Sequence, residues 1–442
     1  MRGTPRLRFG ALATLLLGAE AVAVLLLSGE GRHRILGHDG VEYERYARNL
    51  VDHGAFSNAV HAPYAPSVFR TPGYPTLLAA IRLAAGDSLL AVRVAQFALV
   101  GVTAWLVYRI TLELADRQTA RVAAVLVLTY LPFLWLARMH LTETVTTTLL
   151  AAIVLLLLRA EGKWWRYAAV GLLCGAVAMV RPVYGLAFAP IAACLVLWPH
   201  TSRRRAALQA GVVVAAFAVA LTPWTARNLT LTHRLMPFGS GGSGTSLLAS
   251  AEQYRGGFGY RWDHAELQQL DRASAPAIAR GRAEAAREQS DVPLNVRQEI
   301  DTDRELRKQA RSVLAGVTPT NVLEALPKRI AYLWAVSDYP PRASYVFWHR
   351  IGQAQHFLLL AFTLIGLGSM LRLRSRLWPV LAFPLYLTAA HLVLHSEARY
   401  SVPARPALIV LAAIGVTYVW RAVRSSVQPL PGRRRSRSWT TA

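Results

Sequence analysis

The chain is short of charged residues and of cysteine, and each shortage argues against a class of protein. Only 17% of its 442 residues are charged, whereas soluble domains carry about 25%. The deficit is concentrated in long apolar windows, so the chain does not have the composition of a soluble globular protein. The two cysteines, Cys174 and Cys194, lie in such windows without metal-ligand spacing, so neither a disulfide framework nor a metal centre built on them is expected.

The apolar windows predict an all-α polytopic membrane protein. Several approach the ~20 residues that a helix needs to cross a ~30 Å hydrocarbon layer. Residues 1–29 also have the basic start of a signal peptide, but their apolar stretch is long and no clear cleavage site follows, so we expect an uncleaved first span. Hydropathy predicts about ten transmembrane helices, at residues 10–28, 88–110, 120–137, 143–159, 166–182, 184–199, 206–223, 352–371, 377–395 and 404–421.

Acidic residues are scarce as well, since 25 Asp and Glu stand against 49 Lys and Arg and give a net charge of +24. In a soluble protein this excess would indicate nucleic-acid binding. Here the arginines flank apolar windows, so membrane topology explains them better and no nucleic-acid partner is expected. With a cytoplasmic N-terminus, every inner connection is basic. Both termini of this multi-pass protein of the cell membrane are therefore predicted to be cytoplasmic.

This topology divides the chain into four regions and predicts two long extracytoplasmic loops. The regions are an N-terminal transmembrane part at 1–223, an external part at 224–351, C-terminal transmembrane helices at 352–422 and a basic tail at 423–442. The first external loop, 29–87, belongs to the N-terminal part, and residues 74–86 within it are expected to form a short re-entrant or interfacial piece. Contact of the tail with anionic membrane lipids is its simplest role.

The sequence indicates no cofactor. Asp301-Thr-Asp303 matches the Asp-x-Asp pattern of a metal-binding motif. Residues 263–315 are charged and Ala-rich, however, which predicts a solvated helix face. The glycine-rich stretch 239–244 lacks the Lys-Ser/Thr ending of a phosphate-binding loop. These residues give no indication of a divalent metal and do not decide the question.

Ionisable and aromatic residues gather at the predicted outer face. Charged groups at a membrane boundary are costly to keep there, so they are candidates for function. Snorkelling explains Arg181 and Arg227 slightly better than a role in function does, and complementing a helix dipole would explain Glu143 equally well. The candidates are Asp39, Glu42, Tyr43, Arg70, Glu143, Arg181, Arg227, His395, Arg399 and Tyr400.

Asp39 precedes a predicted amphipathic helix of the first external loop. Tyr43, Tyr46 and Ala47 begin its apolar stripe, and Gly54 is expected to end the helix. Asp39 and Glu42 have the spacing of a capping box, which would make Asp39 an N-cap. A carboxylate at the membrane boundary can also be tuned to accept a hydroxyl proton, which would make Asp39 a general base. Both interpretations stay open, and the two roles can coexist.

Six motifs stand in series along the chain: Asp39-x-x-Glu42-Tyr43, Arg70-Thr-Pro-Gly-Tyr-Pro75, Leu141-Thr-Glu143, Arg181-Pro182, Pro223-Trp-Thr-Ala-Arg227 and Arg399-Tyr-Ser-Val-Pro403. In this order they resemble the GT-C glycosyltransferases of family 39, the bacterial relatives of protein O-mannosyltransferases and aminoarabinose transferases. Two departures from those proteins leave the acceptor open. Gly40 follows Asp39, where many protein mannosyltransferases have an Asp-Glu pair, and aminoarabinose transferases have a different motif at 70–75.

The resemblance implies a GT-C-like bundle that moves a sugar from a polyprenyl-phosphate carrier to a glycan, lipid or protein acceptor on the extracytoplasmic face. It places the external-loop carboxylate of that family at Asp39. For such an inverting hexosyl- or pentosyltransferase, guanidinium groups suit the donor phosphate, and we assign Arg70, Arg227 and Arg399 to it. The other candidates would orient donor or acceptor: Glu42, Tyr43, Glu143, Arg181, His395 and Tyr400. Two rivals are a transporter or flippase of lipid-linked sugars and a ligase or polymerase of lipid-linked glycans.

The predicted topology can be tested with fusion reporters. Alkaline phosphatase fused near residue 260 is expected to be active and green fluorescent protein at the same site dark, because this position is predicted to be external. The same reporters fused after Arg205, in a predicted inner connection, should give the opposite pattern. A cytoplasmic readout at residue 260 would make the orientation wrong.

Overall fold

The computed structural model of the chain describes residue 18 and residues 32–160, 162–197, 201–256, 264–335, 346–370 and 374–427. The first predicted span, 10–28, and the basic tail, 423–442, lie almost wholly outside these residues. The division of the chain into four regions therefore stays a prediction.

Within residues 32–427, the described parts of the chain form sixteen α-helices and no strand. The first eight are α1 Arg32–His53, α2 Gly73–Ala85, α3 Leu89–Leu114, α4 Arg117–Thr129, α5 Leu131–Ala137, α6 Glu143–Leu158, α7 Trp164–Val180 and α8 Phe188–Leu197. The next eight are α9 Arg203–Thr232, α10 Ser243–Tyr254, α11 His264–Arg287, α12 Leu294–Leu314, α13 Pro319–Trp334, α14 Val346–Met370, α15 Arg374–Val393 and α16 Arg405–Val427. Two 3₁₀ helices, Pro182–Leu186 and Ala398–Ala404, precede α8 and α16.

The prediction of an all-helical membrane protein is confirmed, but the count of about ten spans is not. Among the described residues, four helices are long and apolar enough to cross a membrane, or five if the bent pair α4 and α5 forms one span. The four are Leu89–Leu114, Arg203–Thr232, Val346–Met370 and Ala398–Ser426. Shorter apolar helices occupy Glu143–Leu158, Trp164–Val180, Pro182–Leu197 and Leu377–Val393. Side chains of α3, α4, α6, α7, α9, α14, α15 and α16 form the main apolar core.

The predicted single helix at 120–137 is two helices that meet at an angle of 49°. Tyr130 has extended backbone angles between them, and Pro132 cannot donate the hydrogen bond that would continue α4. The bend turns the Tyr130 hydroxyl into the core, where Arg405 Nη1 donates to it at 2.7 Å and His356 Nδ1 lies 2.8 Å away.

The proposed capping role of Asp39 is wrong, because α1 begins at Arg32 and Asp39 lies inside it. The remaining features of this helix are confirmed. Gly54, with φ of 64°, follows its last residue, and Tyr43, Tyr46 and Ala47 are buried. Tyr43 packs edge-on against Tyr74 of α2, with ring centroids 5.1 Å apart.

The predicted helices within 263–315 are present as α11 and α12, but two of their acidic residues do not face solvent. Asp301 and Asp303 are only 3% and 7% exposed. Asp303 Oδ1 accepts hydrogen bonds from Ser243 Oγ at 2.9 Å and from the Gly244 amide at 2.7 Å. The carboxylate therefore satisfies backbone and side-chain donors at the start of α10. No group of acidic, His and Cys side chains suited to a metal ion occurs among the described residues.

The closest helix contact joins α14 and α16 through glycine. A Cβ added at Gly366 would overlap the carbonyl oxygen of Leu411, and one added at Gly415 would overlap that of Phe362. Small residues allow membrane helices to approach in this way. Gly368 lies two residues further along α14, and a Cβ added there would meet open space.

Gly366→Ala is therefore expected to destabilise the protein by about 1–3 kcal/mol, because the new methyl group forces two packed backbones apart. Thermal unfolding of the purified protein in detergent, followed by tryptophan fluorescence, measures the effect. Gly368→Ala is the matched control and should leave the midpoint unchanged. Equal midpoints for the two variants would contradict the tight α14–α16 contact.

Candidate active site

The first part of the site is formed by Arg70 and two carboxylates of α1. Asp39 and Glu42 are three residues apart, so they lie on one face of the helix. Arg70 Nη2 donates to Asp39 Oδ1 at 2.8 Å, and Arg70 Nε donates to Glu42 Oε2 at 2.8 Å. The guanidinium also lies 5.2 Å from the centre of the Tyr43 ring. Arg70 is thus fixed by two acidic partners and one aromatic face.

A second arginine reaches Asp39 from the other end of the chain. Arg399, in the 3₁₀ helix Ala398–Ala404, donates through Nη2 to Asp39 Oδ2 at 3.1 Å. Its Nε lies 3.2 Å from Glu397 Oε1. The Asp39 carboxylate therefore lies between two guanidinium groups, yet its side chain is still 25% exposed, so a ligand can approach it.

The electrostatics of Asp39 differ from those expected of a free general base. Burial acts to raise its pKa, but the Arg399 and Arg70 guanidiniums outweigh burial and hold the pKa well below its usual range. Asp39 is consequently ionised at any physiological pH. A carboxylate so strongly stabilised accepts a proton poorly until the guanidiniums find another anion.

The second part of the site is an ion pair between the ends of α6 and α7. Arg181 Nη1 lies 2.9 Å from Glu143 Oε1, and the Glu143 side chain is only 3% exposed. The guanidinium of Arg181 lies 4.8 Å from the centre of the Tyr400 ring, and that of Arg399 lies 5.4 Å from the same ring. Tyr400 thus connects the two ion-paired groups.

His395 extends this connection toward helix α10. Its Nε2 lies 2.9 Å from the Tyr400 hydroxyl, and its Nδ1 lies 2.8 Å from Ser246 Oγ of α10. Burial and the nearby Arg399 and Arg329 lower the pKa of His395 to about 3. The imidazole is therefore neutral at physiological pH and acts through hydrogen bonds rather than charge.

Arg227 is the one predicted site residue whose described contacts lie elsewhere. Its Nη2 donates to the Ser67 carbonyl oxygen at 3.0 Å and its Nη1 to Asn228 Oδ1 at 2.9 Å. Its guanidinium lies 4.4 Å from the centre of the Trp224 ring. Arg227 thus binds the segment that leads to Arg70 and has no described contact with Asp39. The other nine predicted residues are joined by the contacts described above.

Glu397 belongs to the same turn as Arg399 and is visible in the sequence as one of its polar groups, but it is not among the predicted site residues. Sequence reasoning missed two further residues near the site. Ser246 follows a glycine-rich stretch and Glu299 belongs to a highly charged helix, and neither pattern indicates a site. Their positions depend on long-range contacts that local patterns do not encode.

Comparison with known proteins gives one family match and a set of structural matches. Residues 69–225 match the family model of dolichyl-phosphate-mannose-protein mannosyltransferase. This segment includes Arg70, Glu143 and Arg181, and it covers a minority of the chain. A search of curated protein sequences found no significant match.

The fold is similar to that of an oligosaccharyltransferase from Archaeoglobus fulgidus. Its apo form is 14% identical, with a TM-score of 0.53, and the match covers 95% of this chain and 52% of that one. The chain has a GT-C fold. The same archaeal protein, AglB, in complex with an inhibitory peptide and a dolichol-phosphate gives 15% identity, the same coverage and a TM-score of 0.51. The chain thus spans about half the length of these relatives.

A second GT-C protein, ArnT from Cupriavidus metallidurans bound to undecaprenyl phosphate, is also matched. It is 13% identical, and the match covers 94% of this chain and 80% of that one, with a TM-score of 0.40. The GT-C resemblance inferred from the sequence motifs is confirmed by the family match and the archaeal fold.

The pairing of Asp39 predicts a pH-dependent contribution to stability. A folded-state pKa below the unfolded value stabilises the protein above the unfolded pKa, about 4, and this contribution declines as pH falls further. Asp39→Asn should therefore lower the thermal midpoint at pH 7, and its difference from wild type should shrink between pH 4 and pH 3. Asp52→Asn, at the exposed end of the same helix, is the control. A difference that stays constant with pH would contradict the pairing.

Proposed function

We propose that the protein is an inverting glycosyltransferase of the outer face of the cell membrane, with both termini in the cytoplasm. It would transfer a hexosyl or pentosyl group from a polyprenyl-phosphate carrier to a glycan, lipid or protein acceptor. The observation that carries this proposal is the partly exposed Asp39 carboxylate between Arg70 and Arg399, within a GT-C fold. The dolichol-phosphate bound to the archaeal relative is consistent with a carrier of this chemistry.

The reaction requires one bond to form and one to break. The acceptor hydroxyl oxygen attacks the anomeric carbon of the sugar, and the bond from that carbon to the phosphate oxygen breaks. The polyprenyl phosphate leaves with the bonding electrons, while the hydroxyl proton passes to the Asp39 carboxylate. Phosphate is already a good leaving group, so cations that stabilise its charge and a base for the hydroxyl are sufficient.

Donor binding supplies a reason why Asp39 becomes a competent base. Guanidinium groups bind phosphate as readily as carboxylate. When the donor phosphate engages Arg70 and Arg399, it takes over the charge that lowers the pKa of Asp39. The pKa of Asp39 then rises toward its usual range, so the carboxylate gains proton affinity only when a donor is present.

The surrounding residues keep the two arginines in place and orient the substrates. Glu42 continues to hold Arg70 through its Nε after Asp39 is released, and Glu397 does the same for Arg399. The Glu143–Arg181 pair and the His395–Tyr400 pair lie beside this centre and offer polar groups to the sugar or the acceptor. Glu143 Oε2 accepts no hydrogen bond from the described residues.

A flippase of lipid-linked sugars remains the second candidate, and one observation favours it. The helix broken at Tyr130 carries polar groups into the apolar core, as discontinuous helices of transporters do. A ligase or polymerase of lipid-linked glycans would share the chemistry above and differ in its acceptor. The mass of the glycosylated product, obtained from wild-type and gene-deleted cells, distinguishes these acceptors.

The proposal predicts different kinetic effects for Asp39 and Arg399. Asp39→Asn should lower the transfer rate by about 10²–10⁴-fold, since it removes the base. Arg399→Gln should raise the KM for the donor by about tenfold, which corresponds to the loss of one charge-assisted hydrogen bond. The assay uses undecaprenyl phosphate carrying tritiated mannose or arabinose, added to membranes of a deletion strain that retain the native acceptor.

Arg272→Gln, an exposed arginine of α11, is the matched control and should transfer at the wild-type rate. Full transfer by Asp39→Asn would show that Asp39 is not the base. An unchanged donor KM in Arg399→Gln would remove the phosphate-binding role. Movement of the intact labelled donor across proteoliposomes, without release of polyprenyl phosphate, would favour the flippase.

A further inference from the structure

The segment immediately before Arg70 is held by the external helix α12. Asn295 Nδ2 donates to the Pro66 carbonyl oxygen at 2.6 Å. One turn further along α12, Glu299 accepts hydrogen bonds from Ser67 Oγ at 2.6 Å and from the Val68 amide at 2.8 Å. The three contacts fix consecutive residues of a segment that ends at Arg70.

The opposite side of this segment is held by the glycine-rich stretch. The amides of Ser240 and Gly241 donate to the carbonyl oxygens of Val68 and Phe69 at 2.7 and 2.8 Å. A Cβ at Gly239 or Gly241 would overlap the Phe69 carbonyl oxygen, so only glycine allows this approach. The segment 66–69 therefore lies between α12 and residues 239–241, and the glycines serve close backbone packing.

Glu299 is the ionisable member of this arrangement. The groups that face it are Arg227 of α9, which binds the Ser67 carbonyl oxygen, and Tyr46 of α1, whose hydroxyl lies 2.7 Å from Ser67 Oγ. Burial raises the pKa of Glu299 to about 7, although the hydrogen bonds from Ser67 and Val68 and the charge of Arg227 oppose the rise. In the ionised form both hydrogen bonds to Glu299 are charge-assisted, so they are stronger than those that the neutral carboxyl group can make.

We propose that Glu299 is a positioning residue for Arg70, and that through it the external helices set the geometry of the arginine that contacts Asp39. Glu299 acts through segment 66–69 and does not touch the carboxylates of the site. This proposal rests on the proposed function for its kinetic consequence, but the tie between α12 and the segment exists independently of any reaction. Because the ionised form holds the segment more strongly, donor use should weaken as the pH falls below about 7.

The tie itself is measured by hydrogen exchange of the Val68 and Phe69 amides. In Glu299→Gln these amides should exchange about tenfold faster than in wild type, since a charge-assisted acceptor is replaced by a neutral one. Ser67→Ala removes one hydrogen bond to Glu299 and also the acceptor of the Phe69 amide, so it should speed the exchange of Phe69 directly and that of Val68 less than Glu299→Gln does. Glu324→Gln, at an exposed position of α13, is the matched control.

The kinetic consequence is measured in the transfer assay with labelled undecaprenyl-phosphate mannose or arabinose. Glu299→Gln should raise the donor KM about five- to tenfold with a smaller change in kcat. The pH profile of its kcat/KM should also lack the acidic limb near pH 7 that we expect for wild type. Glu299→Asp, which restores the charge, should recover part of the wild-type KM and of the pH dependence.

Two results separate failure of this proposal from failure of the proposed function. Unchanged amide exchange in Glu299→Gln, or an unchanged donor KM and pH profile in a variant that transfers sugar, overturns the positioning role. Absence of transfer by wild type with every labelled donor overturns the proposed function instead. In that case the exchange of Val68 and Phe69 alone confirms or overturns the tie to α12.

Discussion

A carboxylate that leaves water at a membrane boundary is stable only when cations replace its hydration, and Asp39 has two. Arg70 and Arg399 approach it from residues 31 and 360 positions away in the chain. Three separate elements must therefore meet: helix α1, the segment before α2, and the 3₁₀ helix before α16. The arrangement of the site follows from this requirement, because the carboxylates of Glu42 and Glu397 in turn balance the two arginines.

The balance between these charges makes the site responsive to a ligand. The arginines cannot bind a phosphate without giving up part of their interaction with Asp39, so donor affinity is lower than two unpaired guanidiniums would provide. In the proposed reaction, the same competition would tie the proton affinity of Asp39 to the presence of the donor. Hydroxyl activation and donor binding would then be one event, which limits proton uptake by Asp39 when no sugar is available to react.

Local sequence patterns predicted the elements well and their partners less well. The apolar stripe of α1 and its end at Gly54 follow from spacing and backbone preference. The capping pattern at Asp39 was misleading, because two acidic residues three positions apart also occur as an i,i+3 pair inside a helix. Asp303 looked solvated for a related reason: its burial comes from donors at Ser243 and Gly244, about sixty residues earlier in the chain.

Most of the candidate site could be predicted because costly charges at a membrane boundary have few purposes. Arg227 shows the limit of that argument, since its described contacts are with a backbone carbonyl oxygen and a neighbouring amide rather than with Asp39. Pro132 was visible in the sequence. The contact that the bend beside it makes possible, the hydrogen bond from Arg405 to Tyr130, could not be read from the sequence because Arg405 is far away in the chain. Residue type thus indicated which side chains could belong to the candidate site, and tertiary contacts decided which of them lie together in it.

The distance in sequence between Asp39 and Arg399 also has a consequence for biogenesis. Synthesis proceeds from the N-terminus, so α1 is made long before the 3₁₀ helix that supplies Arg399. Until that helix packs beside α1, the Asp39 carboxylate has Arg70 alone as its cationic partner. The candidate site is therefore completed late in synthesis, and a chain that still lacks the 3₁₀ helix holds Asp39 with only one of its two arginines.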